Sequence, residues 1–140
     1  MRSGFTLLEL VFVMAVLAVV AGAIVPAAAR TSDRAAVIGA REAVAGLVAR
    51  TRSEALVLGG ARLRARSGDA SIWVEAGDSV ITSRRLTDEF GVTLDVGASE
   101  AELAFDALGL GRRASRTFVL RRGGAEARLV IAAYGRAVRS

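Results

Sequence analysis

The sequence predicts an α+β protein in which a long N-terminal helix, membrane-spanning in its first half, packs on a small antiparallel β-sheet domain. An uncharged apolar run of twenty residues, 10–29, is followed by apolar residues at three- and four-residue steps up to Leu58. After Gly60 the apolar period shortens to two, and glycine-containing turns separate the short runs. The 140 residues therefore suit one small domain attached to one apolar segment.

The apolar run at residues 10–29 is long enough, as a helix, to cross about 30 Å of hydrocarbon. Its Leu, Val, Ile and Phe residues together favour insertion by roughly 3–6 kcal/mol. That sum offsets the roughly 2.5–3.5 kcal/mol that one carboxylate costs at the bilayer centre. Glu9, the only charge in residues 5–29, lies near the end of the run, where its cost is smaller. Residues 5–29 are therefore predicted to form a transmembrane helix.

Residues 30–58 are predicted to continue the helix in an amphipathic form, because their apolar residues recur on one helical face. Arg30, Asp33 and Arg34 close the apolar run, and Gly59-Gly60 ends the helix. The apolar face comprises Val37, Ala40, Val44, Leu47, Val48, Thr51, Ala55 and Leu58. Of these we expect Val37, Val44, Leu47, Val48 and Leu58 to meet Trp73, Phe105, Phe118 and Ile131 in the core.

Residues 59–140 are predicted to form the β domain, because short alternating runs lie between glycine-containing turns. The hairpin around Gly123-Gly124 is the strongest of these predictions. Asp88-Glu89 has no obvious metal-binding partner and is interpreted as a solvated turn. The candidate strands are 62–66, 71–75, 79–83, 92–96, 102–106, 117–121, 128–132 and 136–138.

The composition excludes several classes of function. The chain has neither Cys nor His, so it has no disulfide, no thiolate or imidazole metal site, and no catalysis that needs these groups. Nothing in the sequence resembles a nucleophile–base pair. We therefore expect no enzymatic activity, no cofactor and no metal.

The charge is distributed unevenly along the chain. Residues 109–140 hold eight Arg against one acid, Glu126, whereas residues 1–108 hold eleven Arg against thirteen acids. Such an excess is typical of a surface with an anionic partner, but charges on solvated strands also protect sheet edges from aggregation. The candidate anion or DNA contacts are Arg112, Arg113, Arg116, Arg121, Arg122 and Arg136.

Three interpretations of the first thirty residues compete. In a secretory signal peptide, Arg2 supplies the basic region and Ala27-Ala28-Ala29 the cleavage site. A plain signal anchor would keep the apolar helix without cleavage. In a prepilin signal, cleavage comes before the apolar helix. A carboxylate at the start of the apolar core, Glu9, has no use in a signal peptide and favours the third interpretation.

The N-terminal residues resemble the leader of type IV prepilins. Met1 to Gly4 form a short basic leader ending in glycine, and Phe5-Thr6-Leu7-Leu8-Glu9 follows directly. The resemblance implies cleavage after Gly4 by a prepilin peptidase, methylation of the new Phe5 amine, and retention of the helix. Pro26, 21 residues beyond Phe5, also matches the family.

Glu9 and Pro26 are the predicted assembly residues. A carboxylate in a membrane seeks a cation, and the resemblance implies that Glu9 meets the terminal amine of the adjacent subunit. The alternative is that Glu9 reaches the headgroups or complements the positive end of the helix dipole. Proline removes a helical hydrogen bond, which implies local loosening of the helix at Pro26.

The rest of the chain resembles minor pseudopilin H of type II secretion and its relative, the FimT-type minor pilin. The resemblance implies a periplasmic pseudopilus subunit, anchored by one span in the bacterial inner membrane, that supports export of folded proteins. Its partners would be other pseudopilins or minor pilins. The alternative is a minor pilin that takes part in pilus assembly and DNA uptake. The matching residues are 49–55, Trp73-Val74, 103–109, 118–121, 129–131 and Tyr134-Gly135-Arg136.

Overall fold

The computed structural model describes residues 6–112, 115–132 and 135–139, with side chains described except at 23–26 and 112. Its described residues form two compact units, Met1–Ser32 and Asp33–Ser140. One helix, α1 (Leu7–Leu58), contributes to both. The remaining elements are β1 (Gly60–Arg66), β2 (Ser71–Ala76), β3 (Ser79–Arg85), α2 (Leu86–Phe90), β4 (Thr93–Asp95), β5 (Glu100–Asp106), β6 (Gly111–Arg112), β7 (Arg116–Arg122), β8 (Ala125–Ile131) and β9 (Ala137–Arg139).

The first unit consists of the N-terminal part of α1. Its described apolar side chains are exposed, from Leu7 at 81% to Val13 at 44%. By length and composition, the helix is able to cross a membrane. Apolar side chains without cover in the chain itself need another apolar environment.

Nine strands form two antiparallel sheets in the described part of the second unit. The first sheet has the order β3-β2-β1-β5-β6, and the second has the order β4-β7-β8-β9. The hairpin predicted around Gly123-Gly124 is confirmed, since β7 and β8 pair from Arg116↔Ile131 to Arg122↔Ala125. The predicted architecture of a long helix with a small antiparallel β domain is confirmed as well.

The core lies between the second half of α1 and the two sheets. The apolar stripe of the helix is buried as predicted, with Val37, Val44 and Val48 each at most 3% exposed. Leu58 departs from the prediction, since it is 56% exposed. It is the last helical residue, and Gly59 and Gly60, both at positive φ, then turn the chain into β1. The strands contribute Phe105, Phe118, Leu120, Leu129 and Ile131 to this core.

Trp73 does not lie in the core, so that prediction was wrong. In β2 the side chains of Ile72 and Val74 are fully buried, and strand alternation places Trp73 on the opposite, outer face. Trp73 is partly buried there, where its Nε1–H donates to Glu75 Oε1 at 2.6 Å. The two aliphatic neighbours determine the face of the strand, whatever the size of the aromatic residue between them.

Two short elements were absent from the sequence prediction. Asp88 and Glu89 lie in the first turn of α2, a five-residue helix, and not in a simple turn. Gly91 ends this helix in the left-handed conformation at φ 64°. The other element, β6, has only two residues. Both are too short for a periodic pattern to reveal them.

The exposed edges of both sheets are protected against further pairing. The edge strands β4, β6 and β9 have three, two and three residues. The longer edge strand β3 carries an irregularity in its pairing with β2 between Val74 and Glu75, and it ends in Arg84-Arg85. Short strands, bulges and charges are the usual means of preventing edge-to-edge association.

Candidate functional site

The predicted processing and assembly residues lie at and near the beginning of α1. Gly4 and Phe5 fall outside the described residues. Glu9 lies in the first turn of α1, and Pro26 lies within the bounds of the helix, although its side chain is not among those described. Of the two predicted assembly residues, Glu9 is therefore the one whose side chain the structure describes.

Thr6 caps the beginning of this helix. The backbone N–H of Glu9 donates to Thr6 Oγ1 at 3.3 Å, and the N–H of Leu10 donates to the Thr6 carbonyl at 3.2 Å. Threonine followed three residues later by glutamate is the pattern of a capping box, a signal that the sequence prediction missed. The Glu9 carboxylate itself is paired with no residue in the described part of the chain.

Two of the predicted anion contacts are already paired with carboxylates. Arg121 Nε lies 2.7 Å from Glu126 Oε2, and its Nη1 lies 3.7 Å from Asp95 Oδ2. Arg122 Nε lies 3.1 Å from Asp33 Oδ1, and its Nη1 donates to the Phe90 carbonyl at 2.6 Å. Hydrogen bonds from Arg121 and Arg128 hold the pKa of Glu126 below its usual value. The guanidinium groups of these two arginines already make contacts within the fold, so fewer of their N–H groups can bind an anion.

Two further arginines of the C-terminal region are also paired with carboxylates. Arg139 Nε lies 3.0 Å from Glu42 Oε1 on α1, and Arg128 Nε lies 2.6 Å from Glu126 Oε1. The hydrogen bond from Arg139 is the largest cause of the lowered pKa of Glu42. Asp33, Glu42 and Asp95 all precede the arginine-rich region in sequence. The excess positive charge of that region is therefore reduced by acids that the fold brings to it.

Arg116 and Arg136 lie together at one end of the second sheet. Arg116 begins β7 opposite Ile131, and Ile131 pairs in turn with Ala137, the neighbour of Arg136. Both arginines are exposed, and no ion pair joins either one to the part of the chain that the structure describes. Arg113 and the side chain of Arg112 lie outside the described residues. Arg121 and Arg122 are at the other end of β7, about 20 Å away at 3.3 Å per residue.

The described residues contain no cluster of three or more acids that could hold a metal ion. The arrangement offers instead an unpaired carboxylate at a helix N-terminus and two unpaired arginines at one sheet end. Both fit binding and assembly.

The motif and the fold define a chain with a prepilin-type N-terminus on a type IV pilin fold. Residues 1–25 match the prokaryotic N-terminal methylation motif. The fold is similar to that of the type IV minor pilin FimU of Pseudomonas aeruginosa PAO1 in one crystal form, with a TM-score of 0.62 and 18% identity over 76% of this chain and 90% of that one. A second crystal form of FimU gives a TM-score of 0.57 and 19% identity over 73% and 90% of the two chains.

No sequence match was found among curated proteins. The motif and the fold together nevertheless support the type IV pilin-like superfamily, which the N-terminal residues predicted.

Proposed function

We propose that this chain is a minor pseudopilin, a structural subunit of the type II secretion pseudopilus that supports export of folded proteins across the outer membrane. The observation that carries the proposal is the methylation motif at residues 1–25, joined to an exposed apolar helix on a pilin fold. Several arginines of the C-terminal region are paired with carboxylates, which reduces the positive charge that nucleic-acid binding would need. This pairing supports the secretion role over DNA binding. Other pseudopilins and the prepilin peptidase are the partners that this role requires.

The proposed processing gives each part of the N-terminus a task. The peptidase cuts after Gly4, the new amine of Phe5 is methylated, and residues 5–29 hold the subunit in the inner membrane with residues 59–140 in the periplasm. On assembly the same apolar helix enters the filament core, where neighbouring helices replace lipid around it. The exposed apolar side chains of this helix support both roles, because burying them in lipid or among neighbouring helices removes them from water.

Glu9 sets the register of assembly in this proposal. Its carboxylate is unpaired in the described chain, and an unpaired carboxylate in an apolar environment costs several kcal/mol unless it meets a cation. The terminal amine of an adjacent subunit supplies that cation.

Substitution at Glu9 tests this role. In Glu9→Ala we expect normal membrane insertion, since the helix loses only a charge, but incorporation into filaments at least about tenfold lower, equivalent to about 1.4 kcal/mol of lost pairing. Thr6→Ala serves as the matched control, because it removes the cap and keeps the carboxylate. Membrane fractionation and quantification of the subunit in sheared filaments measure the two steps. If Glu9→Ala is incorporated into filaments as well as the wild type, Glu9 does not set the register of assembly.

The mature N-terminus tests the processing step independently. Mass spectrometry of the membrane-extracted protein should find a chain that begins at methylated Phe5. A start at Arg30 would instead identify a cleaved signal peptide and contradict membrane anchoring by residues 5–29.

A second candidate function is that of a FimT-like minor pilin that takes part in pilus assembly and binds DNA. The unpaired Arg116 and Arg136, at the same end of the second sheet, favour it. Phosphate contacts of this kind weaken steeply with salt. Binding of a DNA duplex should then be measurable at low salt and reduced in Arg116→Gln, whereas Arg121→Gln should have less effect. Undetectable binding at low salt would eliminate this candidate.

A further inference from the structure

An open depression lies on the outer face of the first sheet. It has a volume of about 440 Å³ and is formed by β1, the turn after it, β2 and β3. Its size falls within the range of small-molecule sites. The lining residues on which the proposal depends are Arg66, Asp69, Ser71, Trp73, Ser83 and Arg85.

Trp73 makes three polar contacts in this depression. Its Nε1–H donates to Glu75 at 2.6 Å, and the guanidinium carbons of Arg64 and Arg66 lie 5.7 and 5.3 Å from the ring centroid. Both distances fall within cation–π range. On the side of β3, the ring shares the lining with Val80, which is 59% exposed. A fixed, partly exposed aromatic ring is a low-entropy platform for a ligand.

The polar groups around the ring include both donors and acceptors. Arg85 has a side chain that is 58% exposed and makes one ion-pair contact, at 3.2 Å to Asp88, so other N–H groups remain to donate. Asp69 accepts from the Ser71 hydroxyl at 2.6 Å, and this bond lowers the pKa of Asp69. The exposed hydroxyl of Ser83 can act in either sense.

The depression has no surplus of positive charge. Each lining arginine is paired with a carboxylate, in the pairs Arg66–Glu100 at 2.7 Å, Arg84–Glu89 at 3.0 Å and Arg85–Asp88. Asp69 adds a further negative charge. A polyanion therefore finds no surplus of positive charge, and a purely apolar segment finds little beyond Trp73 and Val80.

We propose that this depression binds a neutral, hydroxyl-rich glycan segment, with one sugar ring against Trp73 and its hydroxyl groups hydrogen-bonded to Asp69, Ser83 and Arg85. A sugar ring presents apolar C–H groups on its faces and hydroxyl donors and acceptors around its rim. That combination matches an aromatic platform surrounded by carboxylate, hydroxyl and guanidinium groups without a surplus of positive charge.

The single Trp of the chain makes the test direct, because Trp73 is the reporter. The full-length protein in phosphatidylcholine nanodiscs is titrated with chitotetraose and with maltotetraose, both neutral, and with a 20-nucleotide oligothymidylate as polyanion. Nanodiscs replace maltoside detergents, whose headgroups are themselves neutral glycans. We expect a saturable change in Trp73 emission with at least one glycan, half-complete below about 10 mM and insensitive to salt.

Variants locate the site while keeping the reporter. Arg85→Gln should raise the half-saturation concentration at least about tenfold, the loss expected for one hydrogen bond to a charged group. Ser83→Tyr, which fills the depression, should abolish the response. Arg52→Gln, an exposed arginine on α1, is the matched control and should behave as wild type. Urea midpoints establish that each variant is folded.

The proposal is overturned by any of three results. The first is the absence of a saturable response to either glycan up to about 10 mM. The second is a response to oligothymidylate at low salt in place of the glycans, which would identify a nucleic-acid surface. The third is an equal effect of Arg85→Gln and Arg52→Gln, which would place any binding elsewhere.

Discussion

The two halves of α1 differ in how far their apolar side chains are exposed to solvent. In residues 7–32 the described apolar side chains lie exposed on all sides of the helix, with Leu8 at 80% and Phe12 at 69%. In residues 33–58 a single stripe is buried, and the other faces carry charged and small residues. The helical conformation is the same in both halves. What differs is the source of the apolar environment that each half requires: it lies outside the chain for the first half, and the chain's own strands supply it for the second.

The largest effect expected from this contrast concerns a buried charge. Val44→Asp places a carboxylate in the fully buried stripe and should destabilise the second unit by about 4 kcal/mol or more. Val16→Asp should leave that unit unchanged but disfavour membrane insertion by about 3 kcal/mol. Urea unfolding followed by Trp73 fluorescence, with membrane fractionation, measures both. Equal unfolding midpoints for the two variants would contradict the division of the helix.

The next effect tests where the covered stripe ends. Leu47→Ala should destabilise the second unit by about 2–5 kcal/mol, because Leu47 is 6% exposed and its removal leaves a cavity. Leu58→Ala should change stability by less than about 0.5 kcal/mol, because Leu58 is largely exposed. The same urea titration compares them. A large loss in Leu58→Ala would mean that the helix end is covered after all.

A moderate effect is expected where the β7–β8 hairpin meets α1. Gly123 has φ 54°, and a Cβ there would collide with the carboxylate of Asp33. Gly123→Ala should therefore cost about 1–3 kcal/mol and disturb the Asp33–Arg122 pair. Gly124→Ala is the control, since a Cβ there meets nothing within 4 Å. Thermal unfolding should show a lower midpoint only for the first variant.

The smallest effect concerns the pH dependence of the ion pair between α1 and β9. Arg139 lowers the pKa of Glu42 below its ordinary value of 4.5, so the pair contributes stability above that pH and loses it as the pH falls through the lowered pKa. Glu42→Gln should flatten the acid side of the stability profile slightly. Denaturant midpoints between about pH 3 and pH 7 measure this. An unchanged profile in Glu42→Gln would show that the pair is screened by solvent.

The arginine-rich C-terminal region shows how a count along the chain can mislead. Its excess charge is real in sequence, yet Asp33, Glu42 and Asp95 reach it from other elements and pair with three of its arginines. Pairing partners this distant cannot be read from a charge pattern. Arg116 and Arg136 remain unpaired among the described residues, and they are the ones that a sequence count could not have selected from the six candidates.

Trp73 makes the opposite point, since the information needed to place it was local. Ile72 and Val74 already determine which face of β2 is buried, and a strand exposes every second residue to the other side. The prediction of a core Trp73 gave size and apolarity more weight than register. The cation–π contacts from Arg64 and Arg66, by contrast, depend on the pairing of β1 with β2 and required the fold.

By itself the sequence determined the long helix, its division into an apolar and an amphipathic half, most of the strands and the prepilin-type N-terminus. These depend on composition and on periods of two or 3.6 residues, which are properties of neighbouring residues. Only the tertiary structure decided that the strands form two sheets, that most of the described C-terminal arginines are paired, and that Trp73 lines an open depression. Those features arise from contacts between residues far apart in the chain, and no local period encodes which of them will meet.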